Sequence, residues 1–333
     1  MPVNKKNIVL MFPGQGSQYL HMGSSFLSAN NKYMHYFDIA SIAAGKNIID
    51  IIEDNNGMGE LLNNTRYSQI AIYTLSCALN DYLLEEKIIK PDKVYVATGH
   101  SLGDYSALYA CGAYSFKEGA ELVCFRSRAM AETAEKNGKE MAMAAVIGLY
   151  PADIEKVLKS FKGKVYMANI NDSLQTVISG YAGDIIEASE ALKKEGAKKV
   201  ITLKVNIASH CPLMKQSSEM LEKYLTENFK NFNDFKINFF SSTEAVEIGT
   251  GQLKNTLTGQ LLNPVRWKDS IEKIIYGFDC NFGNGNSEKM VFIEIGPQKV
   301  LSGLVKRIIS DKNPEDFEIF NTDSIEEIER IYS

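Results

Sequence analysis

The pentapeptide Gly99-His-Ser-Leu-Gly103 constrains the fold of this chain more than any other segment. It lies between an apolar run at residues 94–97 and a segment of helical character at residues 104–113. Glycines two positions before and after a serine let a strand turn sharply into a helix, so that the hydroxyl projects beyond the sheet. The N-terminal amides of the helix then face the same point. Because both flanks match, the segment predicts an α/β fold with Ser101 as a nucleophile.

Such a serine needs a base, and the chain has four histidines: His21, His35, His100 and His210. The first two lie in a polar N-terminal stretch, and the side chain of His100, next to the serine, should project to the opposite side of the turn. His210 follows residues 200–205, where apolar and polar side chains alternate as in a half-buried strand. A lone histidine there is more often a satisfied surface or core residue. The exposed serine favours His210 as the predicted base.

Composition argues against several classes of protein. The chain has 333 residues, 45% of them hydrophobic, so it can bury a large core. Its formal charge is −5, which argues against a nucleic-acid partner. No apolar run approaches the roughly 20 residues of a membrane span, and residues 8–12 are too few for a signal-peptide core. We therefore expect a cytoplasmic protein with no membrane partner.

Cysteine and glycine spacing predicts neither a metal site nor a cofactor. The five cysteines are odd in number and contain no Cys-x-x-Cys pair, unlike a zinc site or a disulfide framework. The loop Gly14-Gln-Gly16 lacks the third glycine of a dinucleotide fingerprint, and no acidic residue ends a second strand at the expected distance.

The order of predicted elements changes along the chain. Residues 8–12 are typical of a buried parallel strand, and residues 68–87 carry apolar side chains along one side of a helix. Between residues 137 and 204 the pattern becomes strand-helix-strand-strand-helix-strand, the last strand spanning 199–205, which is the ferredoxin-like order. Residues 280–289, rich in Asn and Gly, are predicted to form an exposed loop.

Eight ordered segments carry a resemblance that covers nearly the whole chain. They are Phe12-Pro-Gly-Gln-Gly-Ser-Gln18, Gly99-His-Ser-Leu-Gly-Asp-Tyr-Ser-Ala107, Leu122-Val-Cys-Phe-Arg126, Met143-Ala-Ala-Val-Ile-Gly-Leu149, Asn169-Ile-Asn171 with Gln175, Ser209-His-Cys-Pro-Leu-Met214, Gln260-Leu-Leu-Asn-Pro-Val-Arg-Trp267 and Glu294-Ile-Gly-Pro-Gln-Lys-Val-Leu301. With them the sequence resembles the malonyl-CoA:acyl-carrier-protein transacylase family of bacterial fatty-acid synthesis. Asp104 stands where that family usually has Glu, and Asp172-Ser-Leu174 where it usually has Ser-Pro-Gly.

The resemblance implies an α/β fold with two subdomains. A hydrolase-like large subdomain with a parallel sheet would comprise residues 1–136 and 205–333, and a ferredoxin-like small subdomain, residues 137–204, would be inserted into it. The active site would lie in the groove between them. There a malonyl group would pass from malonyl-CoA to the phosphopantetheine thiol of acyl carrier protein through a serine ester, without a cofactor.

The same resemblance implies further site residues. The backbone amides of Gln15 and Leu102 would form the oxyanion hole. The backbone carbonyl of Gln260 would orient His210 in place of an acidic side chain, and Asn171 would bind substrate.

Arg126 is predicted to set the substrate class. It lies on an apolar segment, residues 119–130, where an unpaired guanidinium is costly unless it faces a cleft or a carboxylate. A guanidinium matches a planar carboxylate with two parallel hydrogen bonds, which favours malonyl over acetyl. A structural salt bridge is the alternative.

Other functions share much of this pattern. A free-standing acyltransferase of a polyketide assembly line would carry every motif above and differ in its carrier protein. A serine hydrolase or thioesterase would need no carboxylate clamp, so Arg126 argues against it. The sequence leaves open malonyl or methylmalonyl, because one methyl group is worth only about 1–3 kcal/mol in such a pocket. It also leaves the oligomeric state open.

Overall fold

The strands in the larger part of the protein carry apolar side chains on both faces, so its sheet lies between two layers of other elements. In β1 (Ile8–Phe12), Leu10 and Phe12 pack into one core cluster, whereas Val9 and Met11 pack into a second cluster on the opposite face. Successive side chains of a strand point to opposite faces, so strands of this kind form a sheet covered on both sides.

The computed structural model describes residues 6–282 and 289–332 and contains two sheets. After β1, the strands in chain order are β2 (Val94–Gly99), β3 (Met141–Ile147), β4 (Val165–Asp172), β5 (Gln175–Tyr181), β6 (Lys199–Thr202), β7 (Asn238–Ser241), β8 (Val246–Ile248), β9 (Met290–Glu294) and β10 (Phe317–Asn321). The larger sheet has the order β10-β9-β1-β2-β7-β8. Its pairings are parallel except for β7 with β8. The predicted parallel-sheet large subdomain is confirmed.

Helices cover both faces of this sheet. In chain order the helices are α1 (Ser24–Ala29), α2 (Met34–Ala44), α3 (Ile48–Ile52), α4 (Thr65–Glu85), α5 (Gly103–Ala110), α6 (Phe116–Lys136), α7 (Pro151–Leu158), α8 (Ala182–Lys194), α9 (Lys215–Asn228), α10 (Leu253–Gln260), α11 (Trp267–Phe282), α12 (Val300–Ile308) and α13 (Ile325–Glu329). Core side chains of α4, α5 and α6 join the cluster on one face, and those of α11 and α12 join the other. The predicted helix at 68–87 corresponds to α4.

The loop predicted at residues 280–289 overlaps the end of a helix. Helix α11 continues through residue 282, and residues 283–288 lie outside the described residues.

The smaller sheet has the order β4-β5-β3-β6, with every pairing antiparallel. This is the strand order of a ferredoxin-like unit, as the sequence predicted. Helices α7 and α8 pack on one face of it through Ile154, Ile185 and Leu192. Strand β6 is shorter than predicted, because the amide of Val205 bonds to the carbonyl of Leu203 and the chain turns away. The subdomain boundaries near residues 137 and 204 stay a prediction.

Contacts at the end of β4 join the small subdomain to the large one. The backbone of Val265 donates to the carbonyl of Ala168 at 2.9 Å and accepts from the amide of Ile170 at 2.8 Å. Next to the β4–β5 turn, Nε of Arg307 on α12 lies 2.6 Å from Oδ2 of Asp172. These contacts fix the end of β4 against helix α12 and the segment that leads into α11.

Close backbone packing shapes the turn between β2 and α5. A Cβ on Gly99 would lie 1.9 Å from the carbonyl carbon of Gly103, and a Cβ on Gly103 would lie 1.9 Å from the carbonyl oxygen of Phe12. Both positions therefore require glycine. Between them Ser101 has a φ of 55°, in the left-handed region that non-glycine residues adopt at a cost of about 1–3 kcal/mol. The strained turn has the geometry expected of a nucleophile elbow.

We predict that Gly103→Ala lowers the free energy of unfolding by more than about 3 kcal/mol, because the added methyl collides with backbone atoms that have no room to move. Gly183→Ala is the matched control. Gly183 lies in helix α8 with open space at its Cβ position, so this change should raise stability by up to about 1 kcal/mol. Urea denaturation measures both values. Equal stability of the two variants would contradict this account of the turn.

Candidate active site

Ser101 and His210 come from different elements and meet at one point. Ser101 lies on the turn between β2 and α5, and His210 lies between β6 and α9. The Oγ of Ser101 and the Nε2 of His210 are 2.8 Å apart. His210 is only 3% exposed and has a φ of 60°, so its backbone is strained as well.

The backbone carbonyl of Gln260 determines which nitrogen of His210 carries the proton. Nδ1 of the ring lies 2.7 Å from this oxygen, at the end of α10. A carbonyl only accepts hydrogen bonds, so Nδ1 must donate and Nε2 is left to accept from the Ser101 hydroxyl. Burial, together with the positive charge of Arg126, lowers the pKa of His210 to about 3. The ring is therefore neutral and ready to accept a proton near pH 7.

Arg126 lies beside the serine with neutral partners. On α6, its Nη1 donates to Oε1 of Gln69 at 2.5 Å, and its Nη2 donates to Oε1 of Gln260 at 3.1 Å and to Oγ of Ser101 at 3.3 Å. The side chain is 1% exposed and lies over the ring of Tyr105. Among the described residues Arg126 forms no ion pair, so the structural salt bridge considered from the sequence is absent there. Burial lowers the pKa of this guanidinium.

Among the described residues, the backbone amides of Gln15 and Leu102 have no hydrogen-bond partner. Leu102 directly precedes helix α5. The loop that holds Gln15 packs against the elbow, since a Cβ on Gly14 would lie 2.3 Å from the carbonyl oxygen of His100. Free amides beside a nucleophile are the groups that an oxyanion hole requires.

Asn171, predicted from the resemblance to bind substrate, contacts His100. Its Oδ1 lies 2.9 Å from Nε2 of the histidine ring, and Asn171 is buried near the end of β4. The His100 ring also packs near Trp267. Asn171 thereby connects the small subdomain to the residue that precedes Ser101, and substrate binding by it stays a prediction.

The family comparison agrees with this arrangement. The acyl transferase domain family matches residues 9–320. The malonyl CoA-acyl carrier protein transacylase of Bacillus subtilis is 35% identical over 322 residues, which cover 94% of this chain and 95% of that protein. The chain belongs to the malonyl CoA-acyl carrier protein transacylase family. It is therefore an acyltransferase.

Solved transacylases share the whole fold of this family member. The malonyl CoA-acyl carrier protein transacylase from Coxiella burnetii is 31% identical, with a TM-score of 0.85 and coverage of 99% of this chain and 98% of that one. A malonyl-transacylase solved in complex with a type II polyketide synthase acyl-carrier protein is 29% identical, with a TM-score of 0.85 and 98% coverage of both chains.

Sequence reasoning missed Gln69 on α4 and the side-chain role of Asp104. Gln69 is fully buried between Gln15 and Arg126, and its Nε2 lies 3.4 Å from Oε1 of Gln15. The available signal for Gln69 is a long amide side chain on the buried part of α4. Asp104 is equally buried, and burial raises the pKa of its carboxyl to about 8.

The described part of this transacylase contains no group of three or more His, Cys, Asp or Glu side chains arranged to hold a metal ion. None of its helices is long and apolar enough to cross a membrane.

We predict that the His210 ring stays neutral, with its proton on Nδ1, from about pH 7.5 down to about pH 5. An unfolded chain protonates this ring near its ordinary pKa of 6.5, whereas the folded protein resists protonation down to about 3. Protonation therefore favours the unfolded state. The free energy of unfolding should fall, through this residue, as the pH is lowered from about 6.5 toward about 3. Nuclear magnetic resonance of ¹⁵N-labelled histidine measures the ring directly, and a midpoint near 6.5 would contradict the assignment.

Proposed function

We propose that this chain transfers a malonyl group from malonyl-CoA to the phosphopantetheine thiol of acyl carrier protein, through an ester on Ser101, in fatty-acid biosynthesis. The family names support the reaction, since relatives matched over nearly their whole length are malonyl CoA-acyl carrier protein transacylases. One observation supports malonyl as the acyl group. A fully buried guanidinium lies beside the serine, and its side-chain hydrogen-bond partners are neutral.

The hydrogen bonds of Arg126 leave donors for one more acceptor. Gln69 takes one N–H of Nη1, and Gln260 takes one N–H of Nη2. Nη1 keeps a second N–H, the second N–H of Nη2 is directed at Oγ of Ser101, and Nε has no partner among the described residues. Two parallel donors match the two oxygens of a carboxylate. A malonyl group esterified to Ser101 carries its free carboxylate within reach of this pair, and it would supply the negative charge that the buried guanidinium lacks.

The first half-reaction follows from these positions. Nε2 of His210 takes the proton of the Ser101 hydroxyl while Oγ attacks the thioester carbonyl carbon. The resulting oxyanion accepts hydrogen bonds from the amides of Gln15 and Leu102, and donors of this kind are worth about 3–4 kcal/mol in acyl-transfer enzymes. The carbon–sulfur bond then breaks, and Nε2 gives the proton to the departing coenzyme A thiolate.

The second half-reaction reverses the roles. The phosphopantetheine thiol of the carrier protein gives its proton to Nε2 of His210 and attacks the ester carbonyl. A second tetrahedral oxyanion forms at the same amides. Its collapse breaks the bond to Oγ, returns the proton to Ser101 and releases malonyl-carrier protein. The carbonyl of Gln260 holds the ring in one orientation through both halves, so no acidic side chain is required there.

A second candidate function is transfer to the carrier protein of a polyketide assembly line. It is favoured by the similarity to a malonyl-transacylase solved with a type II polyketide synthase carrier protein. Comparing kcat/KM for a fatty-acid and a polyketide carrier protein separates the two functions. We also propose a cytoplasmic location, which the five unpaired cysteine thiols support, since disulfides persist mainly in oxidising compartments.

The function predicts one covalent product. After incubation with equimolar malonyl-, methylmalonyl- and acetyl-CoA, intact mass spectrometry should find mainly malonyl on the wild-type protein, and peptide mapping should locate it on Ser101. Ser101→Ala should carry no adduct. Arg126→Ala should shift the adduct toward acetyl, because the malonyl carboxylate would lose its hydration without gaining an ion pair.

Arg128→Ala is the matched control for this experiment. Arg128 lies on the same helix two residues further on and is exposed, so its removal should leave the adduct ratio unchanged. Methylmalonyl as the main adduct would change the assigned substrate. An adduct on a cysteine would contradict the serine mechanism, and an unchanged ratio in Arg126→Ala would contradict the carboxylate clamp.

A further inference from the structure

The side chain of Gln260 forms contacts separate from its backbone bond to His210. Its Oε1 accepts from Nη2 of Arg126 at 3.1 Å. Its Nε2 donates to the carbonyl oxygen of Ser101 at 2.9 Å and to Oδ2 of Asp104 at 2.7 Å. The amide is fully buried, so each of its polar atoms needs a protein or ligand partner.

A primary amide has two ends of similar shape and opposite hydrogen-bonding character. An Arg side chain only donates, so the end of Gln260 that faces Arg126 has to be its oxygen. The opposite end then has to be the NH₂ group, and it requires acceptors. Oδ2 of Asp104 is the shorter of its two contacts. If a donor stood at position 104, the amide would be favoured in the reversed orientation, with its NH₂ group against the guanidinium.

Asp104 is itself held in place from several sides. It is 1% exposed in the first turn of α5. Its Oδ1 accepts from the amide of Gly99 at 3.2 Å, and the hydroxyl of Ser242 lies 3.4 Å from both carboxyl oxygens. These donors fix the plane of the carboxyl group, and the carboxyl group in turn fixes the amide of Gln260.

We propose that Asp104 is a positioning residue for substrate selection: it orients the amide of Gln260 so that Oε1 aims the guanidinium of Arg126 at the acyl carboxylate. The proposal rests on the malonyl transfer proposed above. Asp104 touches neither the acyl group nor the reacting atoms. Its effect should therefore appear in the choice between charged and uncharged acyl groups more than in the chemistry of the serine.

The test compares kcat/KM of Ser101 acylation for malonyl-CoA with that for acetyl-CoA. Asp104→Asn keeps the shape of the side chain but replaces one oxygen with an NH₂ group. This group would face either the backbone N–H of Gly99 or the side-chain NH₂ of Gln260, and two donors cannot form a hydrogen bond. We expect the malonyl-to-acetyl ratio to fall about tenfold, the size of effect that one misplaced buried polar contact produces. Asp104→Glu keeps the acceptor and should hold the ratio within about twofold of the wild type.

Glu294→Gln is the matched control. Glu294 is also fully buried, and it accepts from the amides of Leu301 and Ser302 at the start of α12. The same change from carboxyl to carboxamide should lower the melting temperature there and leave the ratio unchanged. A general loss of packing would instead move Asp104→Asn and Glu294→Gln alike.

A double variant separates this proposal from the clamp on which it rests. In an Arg126→Ala background, Asp104→Asn should lower the ratio no further, because the group that it positions is gone. If Arg126→Ala leaves the ratio unchanged, the clamp itself is wrong. If Arg126→Ala changes the ratio but folded Asp104→Asn does not, the positioning role is overturned. Should Asp104→Asn fail to fold, a collapse of the ratio in folded Asp104→Glu would overturn it as well.

Discussion

The burial of one positive charge among neutral acceptors is the constraint on which the rest of this site depends. A guanidinium removed from water loses hydration that amide and hydroxyl oxygens replace only in part. In this protein Arg126 has such partners from α4, α10 and the elbow. The unbalanced charge disfavours a second cation nearby, which helps to keep His210 neutral. It also favours an anionic acyl group over an uncharged one.

The fold brings these groups together because several elements end at the same place. Strand β2 ends in the elbow, α10 ends at Gln260, and the chain that leaves β6 reaches Ser101 at His210. Each of these ends presents backbone amides or carbonyls that are not used within a helix or strand. The site accordingly holds the histidine with a main-chain carbonyl, where triad serine enzymes use the carboxylate of an acidic side chain. The small subdomain reaches the elbow through the contact between Asn171 and His100.

Local patterns predicted the parts of this site that depend on local chemistry. The glycines around Ser101 indicated the elbow, because the turn needs them at that spacing. His210 followed by elimination from four histidines, and the alternation of predicted strands and helices gave the ferredoxin-like order. Family resemblance was required for Gln15, Leu102 and the carbonyl of Gln260, since a main-chain group leaves no mark in the sequence.

The remaining features depend on contacts between distant segments. Gln69 and Arg126 lie 57 positions apart, and Gln260 and Asp104 lie 156 apart, so no helical or strand period relates them. The apolar periodicity of α4 predicted a buried face without indicating that a glutamine on it holds an arginine. Strand β6 is shorter than its sequence pattern predicts for a similar reason. Alternation continues past Thr202, but backbone pairing ends where Val205 turns back to Leu203.

The most direct test of the account is a crystal structure of the protein after reaction with malonyl-CoA alone, with no carrier protein present. The account predicts an ester on Oγ of Ser101 whose free carboxylate accepts one N–H from each terminal nitrogen of Arg126, at about 2.7–2.9 Å. The ester carbonyl oxygen should face the amides of Gln15 and Leu102. A malonyl carboxylate that points into solvent or pairs with another side chain, while Arg126 keeps its three neutral partners unchanged, would contradict the central claim.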